Sequence, residues 1–475
     1  MNLHLVKHSG QVFTPDFIVA LMLDFCGYKG DNILRKHIID NSCGDGAFLC
    51  VVVCRYCMKW LEDNEERSIL KNHLETYIHG VEQDKVAFNN CIYNLDNIAA
   101  AFGIENVQWD IHNKDATQVE CFNGKIDYVV GNPPYVRVHN LGEQYAKIKS
   151  YSFAERGMTD LYLVFFEIGF KMLSPTGKLC YITPSSWLNS VAAKNMRGYV
   201  KETSYLTGII DFGHAKIFDE VMTYVLISLF EKANVSTFFN FYCYDEKTHQ
   251  ALLVDRLSVS EISVDGNFYL GTKEKLRELR KIKEGKYPMK VVVKNGYATL
   301  ADKVFILNVP FRELTIPIIK GSTGKWYQGF FPYDGQGKPL PKEKIFSIPV
   351  VADYLYKNKT SLLKGKKEEE KQDWYLYGRT QALKDTFKDK LSVNSIIKDV
   401  SSIKLKEVPK GCGVYSGLYI LSQVSHVLIE RIIKSEDFIS YIKMLKKYKS
   451  GGYYTFNTRD LEQYLNCKLA RYEEI

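Results

Sequence analysis

The sequence predicts an α/β protein: a doubly wound, Rossmann-like domain followed by a second domain of mixed α+β structure. Strand-like and helix-like segments alternate through the first half, the pattern of a mostly parallel sheet covered by helices. A glycine-bearing turn follows the first strand-like segment, and an Asn-Pro-Pro-Tyr tetrapeptide follows a later one. Both therefore sit where such sheets bind ligands, at the carboxyl ends of strands. From about residue 249 the alternation fades into shorter segments rich in Tyr, Lys and Gly. The expected domains are residues 1–248 and 249–475. A chain of 475 residues that is 46% hydrophobic can fill a core in each.

Asp16 to Phe25 reads as a helix. The strand His37 to Asp40 leads into the turn Asn41-Ser42-Cys43-Gly44-Asp45-Gly46 and a longer helical pattern. The strand Thr76 to Glu82 precedes a helix over Lys85 to Phe102, and strands follow at Val107 to Ile111 and at Tyr128 to Val130. A helix from about Asp160 to Leu173 comes before the strands Lys178 to Thr183 and Thr207 to Phe212 and the apolar run Tyr224 to Phe230. Beyond the expected boundary the chain carries Lys320-Gly321-Ser322-Thr323-Gly324-Lys325 and Phe331-Pro332-Tyr333-Asp334-Gly335, and no internal repeat is apparent.

No uninterrupted apolar stretch reaches membrane-spanning length, and the first ten residues lack the pattern of a secretion signal, so the expectation is a cytoplasmic protein that does not engage a membrane. The eleven cysteines are an odd number scattered through apolar segments, as expected of reduced, buried thiols. Cys50, Cys54 and Cys57 cluster on one side of a helix, but no second Cys/His group completes a tetrahedron, so no metal is expected. A formal net charge of +8 permits a polyanionic partner. One group of lysines is Lys357, Lys359, Lys364, Lys366 and Lys367; another, Lys443, Lys446, Lys447 and Lys449, surrounds Tyr448. Each run is either a solvated face or a phosphate contact.

The tetrapeptide Asn132-Pro133-Pro134-Tyr135 carries the most chemistry. An exocyclic amine on an aromatic base is a poor nucleophile because its lone pair is delocalised into the ring. The Asn132 side-chain oxygen and the Pro133 carbonyl can each accept one N–H bond from such an amine, leaving the lone pair aimed at an incoming methyl group. Pro133 has no backbone N–H and Pro134 fixes φ, so these carbonyls are kept out of a helix. Tyr135 offers a ring on which a planar base stacks. The plain alternative is a polar turn closing a strand.

The glycine turn opens a helix and begins with an acid, Asp40. It has a single Gly-x-Gly and not the full dinucleotide fingerprint, so it suits a ligand bearing a cationic amine better than one bearing pyrophosphate. S-adenosylmethionine fits that description. Glu82 ends the next strand, where a carboxylate can accept two ribose hydroxyls, and Asp115 follows the third, where one can accept an adenine amine; ordinary strand-end and loop acids are the alternatives.

Gly10-Gln11-Val12-Phe13-Thr14-Pro15, Asp40 to Phe48, Gly80-Val81-Glu82-Gln83-Asp84, Asp115 and Asn132 to Tyr135, in that order, resemble the TaqI-like N6-adenine DNA methyltransferases, the gamma arrangement with its target-recognition domain last. The likeness covers the first half. It reaches more loosely into the second, through Tyr377-Gly378-Arg379-Thr380-Gln381 and Ser450-Gly451-Gly452-Tyr453-Tyr454. The resemblance implies an S-adenosylmethionine-dependent catalytic domain over 1–248 and a target-recognition domain over 249–475. It implies that Thr14 and Pro15 fold over the methionine moiety, that Asp40, Gly44 and Gly46 line its end, that Glu82 holds the ribose and Asp115 the adenine, and that Asn132 adjoins the donor as well as the base. Asn132, Pro133, Pro134 and Tyr135 are the expected catalytic residues. Phe218 is expected to stack on the other face of an extruded base, with a core aromatic as its alternative. The chain departs from the commonest loop pattern in having Asn41-Ser42 where Pro-Ala is frequent.

The implied reaction is methyl transfer to the N6 amine of adenine flipped out of duplex DNA, without a metal. The implied setting is a monomer near the nucleoid, alongside a separate cognate restriction endonuclease. The rivals are N4-cytosine methylation, methylation of a protein glutamine or ribosomal RNA, and a bifunctional restriction enzyme or specificity subunit.

Overall fold

The computed structural model of the chain describes residues 14–63, 66–137, 145–218, 224–364, 371–379 and 381–471. It divides into two compact units, Met1–Arg277 and Glu278–Ile475.

The first unit is built on a nine-stranded sheet in the order β3-β2-β1-β4-β5-β7-β6-β8-β9. The strands are β1 (Ile38–Asp40), β2 (Ile78–Val81), β3 (Asp110–His112), β4 (Ile126–Gly131), β5 (Leu173–Pro184), β6 (Leu206–Asp211), β7 (Val225–Glu231), β8 (Phe238–Asp245) and β9 (Gln250–Ser258). β3, β2, β1, β4 and β5 run parallel, β7 lies antiparallel between β5 and β6, and β8 is parallel to β6. The residues of β1 and β2 are all buried, as are five of the six in β4, which is the signature of parallel strands covered on both faces. The order reverses between β1 and β4. A crevice for ligands opens at such a reversal, outside the carboxyl ends of the strands.

The helices include α1 (Asp16–Phe25), α2 (Ala47–Asp63), α3 (Arg67–Tyr77), α4 (Lys85–Ala101), α5 (Tyr162–Met172) and α6 (Lys194–Thr203). α4 starts at Asp84, whose carboxylate accepts the N–H groups of Val86 and Ala87, and it buries Ala87, Cys91, Leu95 and Ala99, one stripe at four-residue spacing. The single long helical pattern expected after the glycine turn is two helices, α2 and α3. α2 packs its Phe48, Leu49, Val52, Val53 and Tyr56 into a core shared with Ile18, Met22, Leu95 and Ile182.

The expected boundary at 248/249 falls inside a β-hairpin. β8 and β9 pair from Phe238↔Ser258 to Asp245↔Gln250 around a tip that includes His249, so the first unit continues through β9 and the short hairpin β10 (Ser263–Val264) and β11 (Asn267–Phe268) to Arg277. β9 exposes Leu252, Leu253 and Val254, and an edge strand with that mixed pattern carries no clear period-2 signal.

The second unit is α+β. One antiparallel sheet has the order β12-β19-β15-β17, formed by β12 (Val291–Asn295), β19 (Leu418–Ser422), β15 (Lys390–Val393) and β17 (Leu405–Val408). A second joins β14 (Lys325–Phe330), β13 (Thr315–Lys320) and β18 (Gly413–Tyr415); a third joins β16 (Ile396–Ile397), β21 (Tyr453–Thr455) and β20 (Tyr448–Lys449). Its larger helices are α7 (Pro349–Lys357), α8 (His426–Ile433), α9 (Glu436–Met444) and α10 (Thr458–Arg471). Among the described residues no helix is long and apolar enough to cross a membrane.

Candidate active site

Asp40, at the end of β1, lies in register with Val130 on β4. The next residue of β4, Gly131, adopts φ 150°, and a Cβ there would fall 2.6 Å from Asp40 Oδ1. Glycine is therefore required at that position, because any side chain would collide with the acid that opens the glycine turn. This close approach sets the tetrapeptide against that turn.

Asn132 is half-buried, and its Nδ2 donates to the Thr14 hydroxyl at 3.1 Å. Thr14 is buried, and the following residue, Pro15, caps α1 by accepting the N–H groups of Ile18 and Val19. Thr14, expected over the methionine moiety, is thus in direct contact with Asn132, and Pro15 stands at the start of α1. Gly10 to Phe13 of the same motif lie outside the described residues. Pro133 is buried and Pro134 half-buried.

Tyr135 donates its hydroxyl to the Ile182 carbonyl at 3.2 Å, and burial raises its phenol well above the ordinary range. Its ring meets Tyr162 edge-on at 6.4 Å and Phe218 edge-on at 6.5 Å with planes 70° apart. Phe218 is 3% exposed and belongs to the core of the first unit. In this arrangement the two rings do not present parallel faces to a base, which stacking on both sides would need. Asp219, beyond it, lies outside the described residues.

On the loop side, Gly44 and Gly46 both have positive φ, 54° and 94°. Their surroundings differ. A Cβ on Gly44 would meet no atom within 4 Å, whereas one on Gly46 would stand 2.9 Å from Cys91 Sγ on α4. Gly44 borders open space; Gly46 is needed for helix packing. Glu82 is buried, and its two carboxylate oxygens accept the N–H groups of Gly44 at 2.9 Å and Asp84 at 2.7 Å. It therefore holds the loop in place, and its remaining lone pairs are available to hydroxyls. Asp115 accepts the Thr117 N–H at 2.9 Å and caps a short turn.

Asp40 is 2% exposed, and burial pushes its carboxyl up to about 7 against the opposing Ser42 N–H, with the negative charge of Glu82 acting in the same direction as burial. A cation placed beside this carboxyl would stabilise its ionised form and offset the effect of burial. A buried acid of this kind, a glycine facing open space and a second buried carboxylate behind it fit a ligand with a cationic amine and vicinal hydroxyls.

Two hydrogen bonds of this site were not anticipated. Asn41 accepts a hydrogen bond from the Tyr181 hydroxyl at 2.8 Å. Tyr162 bonds through its hydroxyl to Ser186 Oγ at 3.0 Å beside Tyr135. Both depend on which strands become neighbours, and no local spacing announces that.

Of the segments singled out in the second half, Tyr377 is buried, donates its hydroxyl to the Phe330 carbonyl and donates its backbone N–H to the Tyr333 hydroxyl oxygen. Gln381 donates to the Gly296 carbonyl. Tyr377 thus belongs to the core of the second unit, whereas Arg379 and Gln381 are exposed; Thr380 lies outside the described residues. Ser450-Gly451-Gly452 turns between β20 and β21, with Gly451 and Gly452 at φ 75° and 78°. Lys447 pairs with Asp460 at 2.5 Å, so it is committed within the unit, and Lys359 lies over the Trp374 ring. Lys366 and Lys367 are outside the described residues. Burial pushes the thiols of Cys50 and Cys57 up to about 12.

Residues 53–218 match the Eco57I restriction-modification methylase family. The type II methyltransferase M.BstVI of Geobacillus stearothermophilus is 24% identical over 360 residues, covering 64% of this chain and 61% of that protein. The type II restriction enzyme and methyltransferase RM.Eco57I of Escherichia coli is 25% identical over 400 residues, covering 70% of this chain and 38% of that protein. The chain thus spans less than two thirds of the length of either relative. Among solved structures, the type IIL restriction-modification enzyme MmeI in complex with DNA shares the fold over 96% of this chain and 64% of its own, with a TM-score of 0.64 at 13% identity. The chain is thus similar in sequence to restriction-modification methyltransferases over much of its first unit, and it shares the fold of a solved restriction-modification enzyme over nearly its whole length.

Proposed function

We propose that this chain is a site-specific DNA methyltransferase that moves a methyl group from S-adenosylmethionine to the N6 amine of an adenine flipped out of duplex DNA. The observation that carries this reading is the contact of Gly131 with Asp40. It sets the strand-end asparagine and the acid-led glycine loop against each other at the reversal of the sheet. The kinship with restriction-modification methyltransferases supports DNA as the partner.

In this reading Asp40 receives the amino group of the donor, Glu82 the ribose hydroxyls through lone pairs not used by Gly44 and Asp84, and Asp115 the donor's adenine amine. When bound, S-adenosylmethionine supplies a methyl group already activated on a sulfonium. Asn132 Oδ1 and the Pro133 carbonyl accept the two N–H bonds of the target amine, drawing its nitrogen toward tetrahedral geometry and exposing its lone pair. The Thr14 hydroxyl holds Asn132 Nδ2 and so orients the amide oxygen. Tyr135 provides a ring for the base, and a rotation that turns Phe218 toward it would complete the stack. The product loses one amine proton to solvent. A separate endonuclease of the same specificity and a monomeric enzyme complete the proposal.

Asn132→Ala tests it. Methyl transfer to duplex DNA should fall by about 10²–10³ or more, while affinity for the donor stays within about twofold. Nucleoside mass spectrometry of treated DNA should show N6-methyladenine. N4-methylcytosine would overturn the choice of base, and label in protein or RNA but not in DNA would overturn the DNA reading.

A further inference from the structure

Asn41 follows Asp40 directly, so its side chain governs where the glycine turn leaves β1. That side chain is 1% exposed. Its oxygen accepts the Tyr181 hydroxyl at 2.8 Å, and its nitrogen points at Met172 Sδ, 4.0 Å away. Tyr181 is fully buried on β5, where its backbone stands in register with Gly131, the residue whose lack of a side chain leaves room for Asp40 and which precedes Asn132. One tyrosine therefore touches the donor loop through its hydroxyl and the acceptor strand through its backbone.

The surroundings are shaped around that hydroxyl. Gly169 lies inside α5, where glycine weakens a helix relative to alanine, and a Cβ there would fall 2.8 Å from Tyr181 Oη and 2.5 Å from Leu179 Cδ1. Burial also holds the phenol well above its ordinary range, so it remains a neutral donor at working pH. Packing alone does not require this polar pair, because two apolar side chains of the same shape would fill the space at little cost. A hydrogen bond adds direction and length.

We propose that the Tyr181–Asn41 bond is a positioning device that braces the glycine loop against the end of β4, setting the loop at the height that captures the methyl donor. The proposal rests on the methyltransferase reading above. Tyr181 and Asn41 are positioning residues: they touch neither substrate, and they act through Asp40 and Gly131. Because the braced turn carries Asp40 and Gly44, assigned to the donor, and not Asn132, assigned to the target amine, loosening it should weaken donor capture more than it slows the chemistry of a saturated enzyme.

Two variants separate this role from a merely structural one. Tyr181→Phe leaves a buried amide without its donor; it should lower the thermal midpoint and raise KM for S-adenosylmethionine about tenfold, with kcat at saturating donor changed less than about threefold. Tyr181→Phe combined with Asn41→Leu removes both polar groups. The double variant should regain the wild-type thermal midpoint yet keep the weakened donor binding, read by calorimetry with S-adenosylhomocysteine. Wild-type donor affinity in Tyr181→Phe, or recovery of stability and affinity together in the double variant, overturns the brace. Should the wild-type chain itself bind neither compound, the methyltransferase reading falls, and the brace with it. If Tyr181→Phe does not fold, the double variant still decides between the two outcomes.

Discussion

Each unit buries an aspartate almost completely, and the two are treated in opposite ways. Asp40 in the first unit is 2% exposed, and burial pushes its carboxyl up to about 7 while one N–H, from Ser42, opposes the shift. Asp385 in the second is 1% exposed. Burial pushes it up too, but Lys294 at 2.6 Å, Lys388 at 2.8 Å and the Tyr419 hydroxyl at 2.9 Å outweigh burial and hold the carboxyl at about 2. Asp460 repeats the second pattern with Lys283 and Lys447. A buried charge surrounded by cations of its own unit is architecture. A buried acid that is held near neutrality where strands end is the residue to which a cation can be added from outside.

The comparison breaks most visibly at Asp385. Asp385→Asn should destabilise the second unit by roughly 2–4 kcal/mol in denaturant unfolding, the lower part of that range being favoured because Lys294 and Lys388 keep contact with water. An unchanged unfolding midpoint would show that the ion cluster contributes nothing. Asp40→Asn should behave oppositely. It should leave the ligand-free protein at least as stable at pH 8, because it removes an acid that burial penalises, while donor affinity falls about tenfold or more. A loss of stability with donor affinity intact would reverse the roles assigned to the two residues.

The pH dependence follows from the signs. The folded value of Asp40 lies above its ordinary carboxylate value, so its contribution to the ligand-free fold is complete below about pH 4 and is lost as pH rises through about 7. Asp385 lies below its ordinary value, so its contribution is complete at neutral pH and disappears as pH falls through about 2. The smallest predicted effect belongs to the first of these. Near pH 6.5, donor binding should release a fraction of a proton, read from calorimetry in two buffers of different ionisation enthalpy, and Asp40→Asn should abolish the release.

Much of the first unit was legible because its signals are local. The helix Asp16–Phe25 has the expected bounds, and the four residues after β4 could be read as a site because parallel strands are uniformly apolar and then stop. The end of the unit was not legible. β9 is an exposed edge strand whose residues obey no simple alternation, and only its pairing with β8 assigns it to the sheet. Phe218 illustrates the same limit for a side chain: its chain position is compatible with stacking, whereas its edge-on, buried orientation depends on neighbours. Tyr377 illustrates it too: its place in the core of the second unit depends on Phe330 and Tyr333, and aromatic residues supply both surfaces and interiors.

What the sequence determined by itself is the order of elements and the chemical kind of group at each strand end: the acid and glycines after β1, Glu82 after β2 and the Asn-Pro-Pro-Tyr run after β4. Those properties are set by residues adjacent in the chain. Tertiary structure alone decided that β1 lies between β2 and β4, that Gly131 meets Asp40, and that Tyr181 reaches across 140 positions to Asn41. Contacts of that kind depend on which strands pair, and pairing is chosen by the burial and backbone hydrogen bonding of the whole sheet, which no short stretch of residues encodes.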